Sequence, residues 1–172
     1  DAIVISDIGI LQMVKKFLPK TPIHLSTQMN TLNYEAVKFW QKQGVKRIIL
    51  GRETALEDIK EIHQRAPKME LEVFVHGAMC MSYSGRCYLS AWLASLESSR
   101  SGLNQRSANQ GLCTQPCRWE YKVFLEEPLR PGEMIPLEAD KEGTYIMNSK
   151  DLCLIDYLDE LAKAGVVAFK LE

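Results

Sequence analysis

The 172 residues are 46% hydrophobic and carry 21 Lys and Arg against 22 Asp and Glu, a net charge of −1. That is enough apolar material for one sizeable core, and the even balance argues against a disordered acidic chain or a globally basic nucleic-acid binder, though not against a local basic patch. With no apolar run near the ~20 residues that span a bilayer and no charged-then-apolar leader, the expected location is cytoplasmic, without a membrane partner.

Ala2-Ile3-Val4-Ile5 is a continuous apolar run of the kind found in a strand covered on both faces of a parallel sheet, and Ser6-Asp7 ends it. Leu11, Val14 and Leu18 then recur at helical spacing up to Pro19, and Pro22 to Ser26 reads as the next strand. Asn33 is placed to N-cap a helix carrying Tyr34, Val37 and Trp40, with Gly44 as its stop. Arg47 to Leu50 is the third strand. Thr54-Ala55-Leu56-Glu57 has the pattern of a capping box opening a helix that Pro67 ends. Leu71 to Val75 is the fourth strand. Strands beginning near residues 2, 23, 47 and 71 have the period of βα units, for which right-handed crossovers are expected.

After Val75 the regularity breaks, and residues 76–148 read as an irregular, cysteine-bearing insertion without a long helical pattern. Trp119 to Leu125 and Thr144 to Met147 are candidate short strands around a Pro- and Gly-rich connection from Pro128 to Pro136. Ser149 is then a candidate N-cap for a helix with Leu152, Ile155, Leu158 and Leu161, closed by Gly165, and Val166 to Phe169 is a fifth buried strand. The fold class is α/β, either part of a (β/α)8 barrel or an open sheet, which periodicity does not separate. Regular elements at both ends suggest that residues 1–172 are a single excerpt of a longer domain, with part of any site elsewhere.

In both architectures ligands bind at the carboxyl ends of the parallel strands. That rule selects Ser6-Asp7, Ser26-Thr27-Gln28, Arg52-Glu53, His76-Gly77 and Lys170 to Glu172, with helix capping as the ordinary alternative for Ser6, Asp7 and Thr27. Arg52, Glu53 and His76 are the candidate catalytic residues.

The five cysteines are spaced Cys80-x6-Cys87-x25-Cys113-x3-Cys117-x35-Cys153. Disulfides fit poorly with an odd count and no leader, and buried free thiols fit poorly with a Gly-rich irregular setting. Thiolates select zinc or iron–sulfur; a structural zinc site favours short Cys pairs, approached only by Cys113 and Cys117, so the wide spacing favours an iron–sulfur cluster. His76 and Cys80, four apart, also allow a thiolate nucleophile beside an imidazole.

From Glu72 to Cys80 (Glu-Val-Phe-Val-His-Gly-Ala-Met-Cys) and through Ser84-Gly85-Arg86-Cys87-Tyr88-Leu89-Ser90, the chain resembles the collagenase-like peptidase family U-32. The likeness continues at Asn109-Gln110-Gly111, Cys113, Cys117-Arg118, Arg130 to Glu133, Gly143 to Leu152 and Lys170 to Glu172, and upstream at His24 to Gln28 and Lys38 to Trp40. One departure is Ala91 to Ser107, longer than the family pattern between the second and third cysteines.

The resemblance implies a middle excerpt of a TIM-type (β/α) barrel, with the cysteine-rich insertion after the fourth strand. Beside peptidases, the family contains branches similar to iron–sulfur proteins for oxygen-independent hydroxylation of a transfer-RNA wobble uridine, a ribosomal-RNA cytidine or a ubiquinone precursor. Prephenate is the implied hydroxyl source. The Arg130 to Glu133 and Gly143 to Leu152 blocks look closest to the transfer-RNA branch. Cys80, Cys87 and Cys113 fall on the family's positions for a four-iron four-sulfur cluster; Cys153 matches the fourth ligand of one branch, with Cys117 as the alternate.

The first expectation is therefore a cluster-dependent RNA hydroxylase whose partners are tRNA and a prephenate-like small anion, the anion meeting Arg52 and His76. Residues 86–122 add Arg86, Arg100, Arg106, Arg118 and Lys122 against Glu97 and Glu120, a local +3, with Trp119 and Tyr121 for base stacking; a solvated surface is the more ordinary account. The alternatives are a peptidase using Cys80 or His76, and a non-catalytic module braced by zinc or a cluster. The substrate and the oligomeric state are not legible in the sequence.

Overall fold

In the computed structural model, which describes residues 1–78, 80, 82–83, 86–95, 106–119, 124–126, 128–132, 134–136 and 151–172, the chain begins with β1 (Ile3–Ile5) and α1 (Ile8–Phe17). Asp7 caps α1 by accepting from the Ile10 amide at 2.9 Å. Next come β2 (Ile23–Leu25) and α2 (Tyr34–Lys42), where Asn33 Oδ1 accepts from the Ala36 amide at 3.0 Å and Gly44 follows with φ +83°. Cap and stop both match the sequence reading, because each rests on chemistry local to the chain.

The third unit is β3 (Arg47–Ile49) and α3 (Leu56–Arg65). Here the expected capping box does not form. Thr54 Oγ1 donates to the Gly51 carbonyl at 2.8 Å, and Ala55 occupies the N-cap without a side-chain bond. The helix ends at Ala66 with φ −135°, as the residue before Pro67 is sterically driven out of the helical region. β4 (Glu70–Gly77) follows.

The molecule divides into two compact units, one of Asp1–Cys87 with Lys150–Glu172 and the other of Tyr88–Ser149. The second contains α4 (Tyr88–Ser95), 3-10 turns at Ala108–Gln110 and Pro116–Arg118, and a hairpin of β5 (Phe124–Glu126) with β6 (Met134–Pro136) in antiparallel register. Of the strand expected from Trp119 to Leu125, Phe124 and Leu125 fall in β5, and residues 120–123 lie outside the described residues. Trp119 lies just past a 3-10 turn, its indole donating to the Thr114 carbonyl at 3.0 Å. The Pro- and Gly-rich connection itself supplies β6. Thr144 to Met147 and Ser149 lie outside the described residues.

The first unit resumes with β7 (Leu152–Cys153), α5 (Leu158–Lys163) and β8 (Val166–Leu171). A helix running through Leu152 is therefore incorrect. His76 pairs with Cys153 and Gly77 with Leu152 in antiparallel register, and the Leu154 amide donates to the Val75 carbonyl at 2.8 Å. Tertiary pairing overrides the apolar spacing, and a 3-10 turn at Ile155–Tyr157 leads into the short helix.

Strands β1, β2, β3, β4 and β8 lie side by side in chain order and pair in parallel. One sheet face carries Ile5, Ile23, Leu25, Ile48, Leu71, Val73, Val75 and Val166, which pack with Leu11, Val14, Val37, Trp40, Ile59, Ile62, Leu161 and Ala164 of the four helices into one core. The opposite face carries His24, Arg47, Glu70, Glu72 and Phe74, the alternate residues of the same strands. The first unit is α/β with a parallel-rich sheet, and α1, α2, α3 and α5 pack on one of its faces. None of those helices is long and apolar enough to cross a membrane.

Candidate functional site

The strand ends divide into those that serve the fold and those that assemble chemistry. Asp7 is an N-cap, and Ser26 caps a 3-10 turn by accepting from the Gln28 amide at 3.3 Å. Thr27 Oγ1 donates to the Leu50 carbonyl at 3.2 Å, tying the ends of β2 and β3 together. These side chains satisfy backbone groups, the ordinary reading of such residues.

The ends of β3, β4 and β8 are different. The Arg52 guanidinium lies 3.7 Å from the centroid of the Phe74 ring, pairs with the Glu172 carboxylate and is only 11% exposed. Lys170 Nζ stands 5.2 Å from the same ring, since Phe74 and Lys170 are register partners on neighbouring strands. The Glu172 amide donates to the His76 carbonyl at 3.1 Å, which fixes the last residue of β8 beside the end of β4. Two cations thus flank one aromatic ring. Glu53 is exposed, its Oε2 turned over Gly51 together with Asn30 Oδ1, so close that a Cβ on Gly51 would stand 2.7 Å from the carboxylate.

At His76, β4 is paired on both edges, with β8 on one and β7 on the other. Lower down, β8 and β3 share β4 around Leu71 and Glu72, so β7 occupies the edge that β3 leaves. Cys153 is thereby held beside the exposed His76, just beyond the carboxyl end of β3. Gly77 has φ +118°, and a Cβ there would collide with the Glu172 carbonyl, so only glycine lets the chain leave the sheet toward Cys80.

None of the five cysteines is in a disulfide; Cys80, Cys113 and Cys153 are exposed and Cys87 and Cys117 half-buried. Cys80, Cys87 and Cys153 belong to the first unit, and Cys113 and Cys117 to the second. Cys113 Sγ accepts the Gln115 amide at 3.3 Å, across a turn in which Gln115 takes φ +53°. The chemistry of this cysteine set suits a soft metal centre. Among the described residues no three His, Cys, Asp or Glu side chains converge on one point. The structure therefore brings together His76 with Cys153, and Arg52 with Phe74, Lys170 and Glu172.

Sequence reading missed the charged network on the helix-free face. Arg47 donates to Glu70 at 2.8 and 3.0 Å and to Glu72 at 3.3 Å, and Lys46 approaches Glu70 at 3.5 Å. The Arg47 hydrogen bond holds the Glu70 carboxyl below its usual range, while burial and then the Arg47 charge lower the His24 imidazole. The signal was available: Glu70 and Glu72 alternate with Leu71 and Val73, marking a strand with one polar face.

The family model for "Peptidase family U32" matches residues 1–172. The chain belongs to peptidase family U32. Relatives within it include "tRNA hydroxylation protein P" of Escherichia coli strain K12, 42% identical over all of this chain and 44% of its own length. "Collagenase" of Porphyromonas gingivalis is 35% identical over 99% of this chain and 39% of its own. "23S rRNA 5-hydroxycytidine C2501 synthase" of Escherichia coli is 35% identical over the whole chain and 23% of its own length. The chain thus spans under half the length of these relatives. No solved structure matches it.

Proposed function

We propose that this U32 chain is the cluster-bearing part of an RNA hydroxylase that modifies a transfer-RNA uridine. Two of the relatives above are named for RNA hydroxylation, and both match along the whole chain. The observation that carries the reading is the register of β7, which sets Cys153 against His76 at the carboxyl edge where α/β proteins bind ligands. In this proposal Cys80, Cys87, Cys113 and Cys153 hold a four-iron four-sulfur cluster, with Cys117 as the alternate fourth ligand. The cluster would supply the electron transfer that hydroxylation without oxygen requires.

The protein's own part is binding and orientation. Lys170 presents positive charge at the sheet edge to a small anion, taken here to be prephenate or a close analogue as hydroxyl source, and Arg52 would join it by exchanging the Glu172 carboxylate for the anion. Phe74 packs against the Arg52 guanidinium, which restricts its rotamers before a ligand arrives. His76 is exposed at the same edge and available to move a proton.

The longer protein is proposed to close this sheet into a (β/α) barrel, with residues 76–148 as its cysteine-bearing insertion. Strands in unbroken chain order with helices on one face support a barrel wall; a doubly wound sheet reverses its strand order and carries helices on both faces.

The test is metal and sulfide analysis with visible absorption on anaerobically purified full-length protein. Iron and sulfide that fall on Cys80→Ser support the reading. Colourless, iron-free protein would sink it, and bound zinc would favour a braced, non-catalytic module. Deletion of the gene followed by nucleoside mass spectrometry then identifies the substrate. The collagenase relative favours proteolysis as the second reading. It expects iron-independent peptide cleavage, abolished by Cys80→Ala and indifferent to Cys113→Ala.

A further inference from the structure

The ion pair between Arg52 and Glu172 joins a side chain that is held to one that can leave. Arg52 is 11% exposed and lies against Phe74, which is itself buried. Its turn is pinned at both neighbours: Thr27 Oγ1 donates to the Leu50 carbonyl at 3.2 Å, and the amide and hydroxyl of Thr54 donate to the Gly51 carbonyl at 3.1 and 2.8 Å. Glu172 has a fixed backbone, its amide bonded to the His76 carbonyl at 3.1 Å, but its side chain is 46% exposed. Rotation about its side-chain bonds alone takes the carboxylate off Arg52 into solvent, with no strand moved.

That carboxylate does not balance the charge at Phe74. Lys170 is half-buried beside the same ring, and among the described residues it has no carboxylate within ion-pair distance. Two cations therefore share one internal carboxylate. A ligand with a single carboxylate would only take the place of Glu172, exchanging one pair for an equivalent one while losing its freedom of motion. A ligand with two carboxylates gains by binding: one replaces Glu172 on the Arg52 fork and the other neutralises Lys170. A phosphate on an RNA backbone would have to reach a guanidinium that is almost wholly covered, whereas a carboxylate already sits on it.

We propose that Glu172 is an internal competitor at this site, occupying Arg52 until a small dicarboxylate displaces it and bridges Arg52 and Lys170. This deepens the small-anion part of the function proposed above and rests on it. Glu172 sets how tightly an anion must bind to open the site, and Lys170 sets the preference for two carboxylates over one.

The test is isothermal titration calorimetry of anaerobically purified full-length protein with succinate, glutarate and prephenate as dicarboxylates, phenylacetate as a monocarboxylate, and inorganic phosphate. Glu172→Gln should tighten dicarboxylate binding by about 5- to 10-fold, the reciprocal of the fraction of molecules in which Glu172 has left Arg52. A residue that merely braced the site would weaken binding when replaced. Lys170→Gln should remove the advantage of the dicarboxylates over phenylacetate. In an Arg52→Gln background Glu172→Gln should bring no gain, because the competitor then has nothing to occupy. Circular dichroism confirms that the variants fold.

Dicarboxylate affinity that is unchanged or weaker in Glu172→Gln overturns the inference, and so does the absence of dicarboxylate binding in both proteins. A gain that persists in the Arg52→Gln background would assign Glu172 to general repulsion of anions, and phosphate binding more tightly than every dicarboxylate would assign the cations to a phosphate; each also overturns it. The hydroxylase reading is judged separately, by iron content and by nucleoside mass spectrometry on the deletion strain. A modification lost on deletion and restored by the wild-type gene, beside unchanged affinity in Glu172→Gln, leaves the hydroxylase standing and removes the competitor. A gain for the dicarboxylates in a protein that carries no iron and modifies no RNA keeps the competitor and removes the hydroxylase.

Discussion

Two helices of the first unit end on a left-handed glycine, and the packing around each dictates different costs for the same substitution. Gly44 follows α2 with φ +83° and has nothing within 4 Å of where a Cβ would stand. Gly165 follows α5 with φ +91°, but a Cβ there would lie 2.2 Å from Cγ and Nδ1 of His63 on α3. The conformational cost of alanine is common to both, about 1–2 kcal/mol. At Gly165 the imidazole or the turn must also retreat by about an ångström, an overpacking cost of about 1–3 kcal/mol. Gly44→Ala should therefore lose about 1–2 kcal/mol and Gly165→Ala about 2–5 kcal/mol, read from urea unfolding midpoints at constant slope. Replacing His63 with alanine in the Gly165→Ala background should restore the steric share, giving a coupling of about 1–3 kcal/mol in a double-mutant cycle. Equal losses at the two glycines, or strictly additive effects of His63→Ala and Gly165→Ala, would refute the packing of α5 against α3.

The Arg47 network gives a pH prediction with a defined sign. Glu70 titrates below its ordinary 4.5, so its contribution is present above that pH and lost as pH falls through the lower folded value. His24 titrates below 6.5, so the unfolded chain takes up its proton first and stability declines as pH falls from there. Both groups weaken the fold toward acid. Arg47→Met should cost about 1–2 kcal/mol at pH 7, allowing for screening of a partly exposed pair, and its gap from wild type should close below pH 4.5. A gap independent of pH, measured by urea unfolding at three pH values, would contradict this. Asn33→Ala removes the cap on α2 and should cost about 1 kcal/mol, whereas Asn33→Ser should recover most of it in the same assay. Cys153→Ser should reduce iron content with little change in the far-ultraviolet dichroism, because an exposed residue at an antiparallel edge contributes little to the core; full iron retention would shift the fourth-ligand assignment to Cys117.

What the sequence determined by itself is the set of elements whose causes are local. Asn33 and Asp7 cap because a side-chain oxygen reaches an amide three residues on, Gly44 and Gly165 stop helices because they tolerate positive φ, and apolar runs spaced 21 to 24 residues apart mark βα units. The strand-end rule also located Arg52, His76, Lys170 and Glu172 from sequence order. Tertiary structure decided the rest. Thr54 forsakes its capping role because a carbonyl on the preceding turn lies within reach. Leu152 and Cys153 become strand, against their helical spacing, because β4 outruns β3 and leaves an edge of unpaired backbone to satisfy. That same pairing brings Cys153 to His76 across 76 residues of chain, a contact made by hydrogen bonds between backbones whose side chains carry no signal of it.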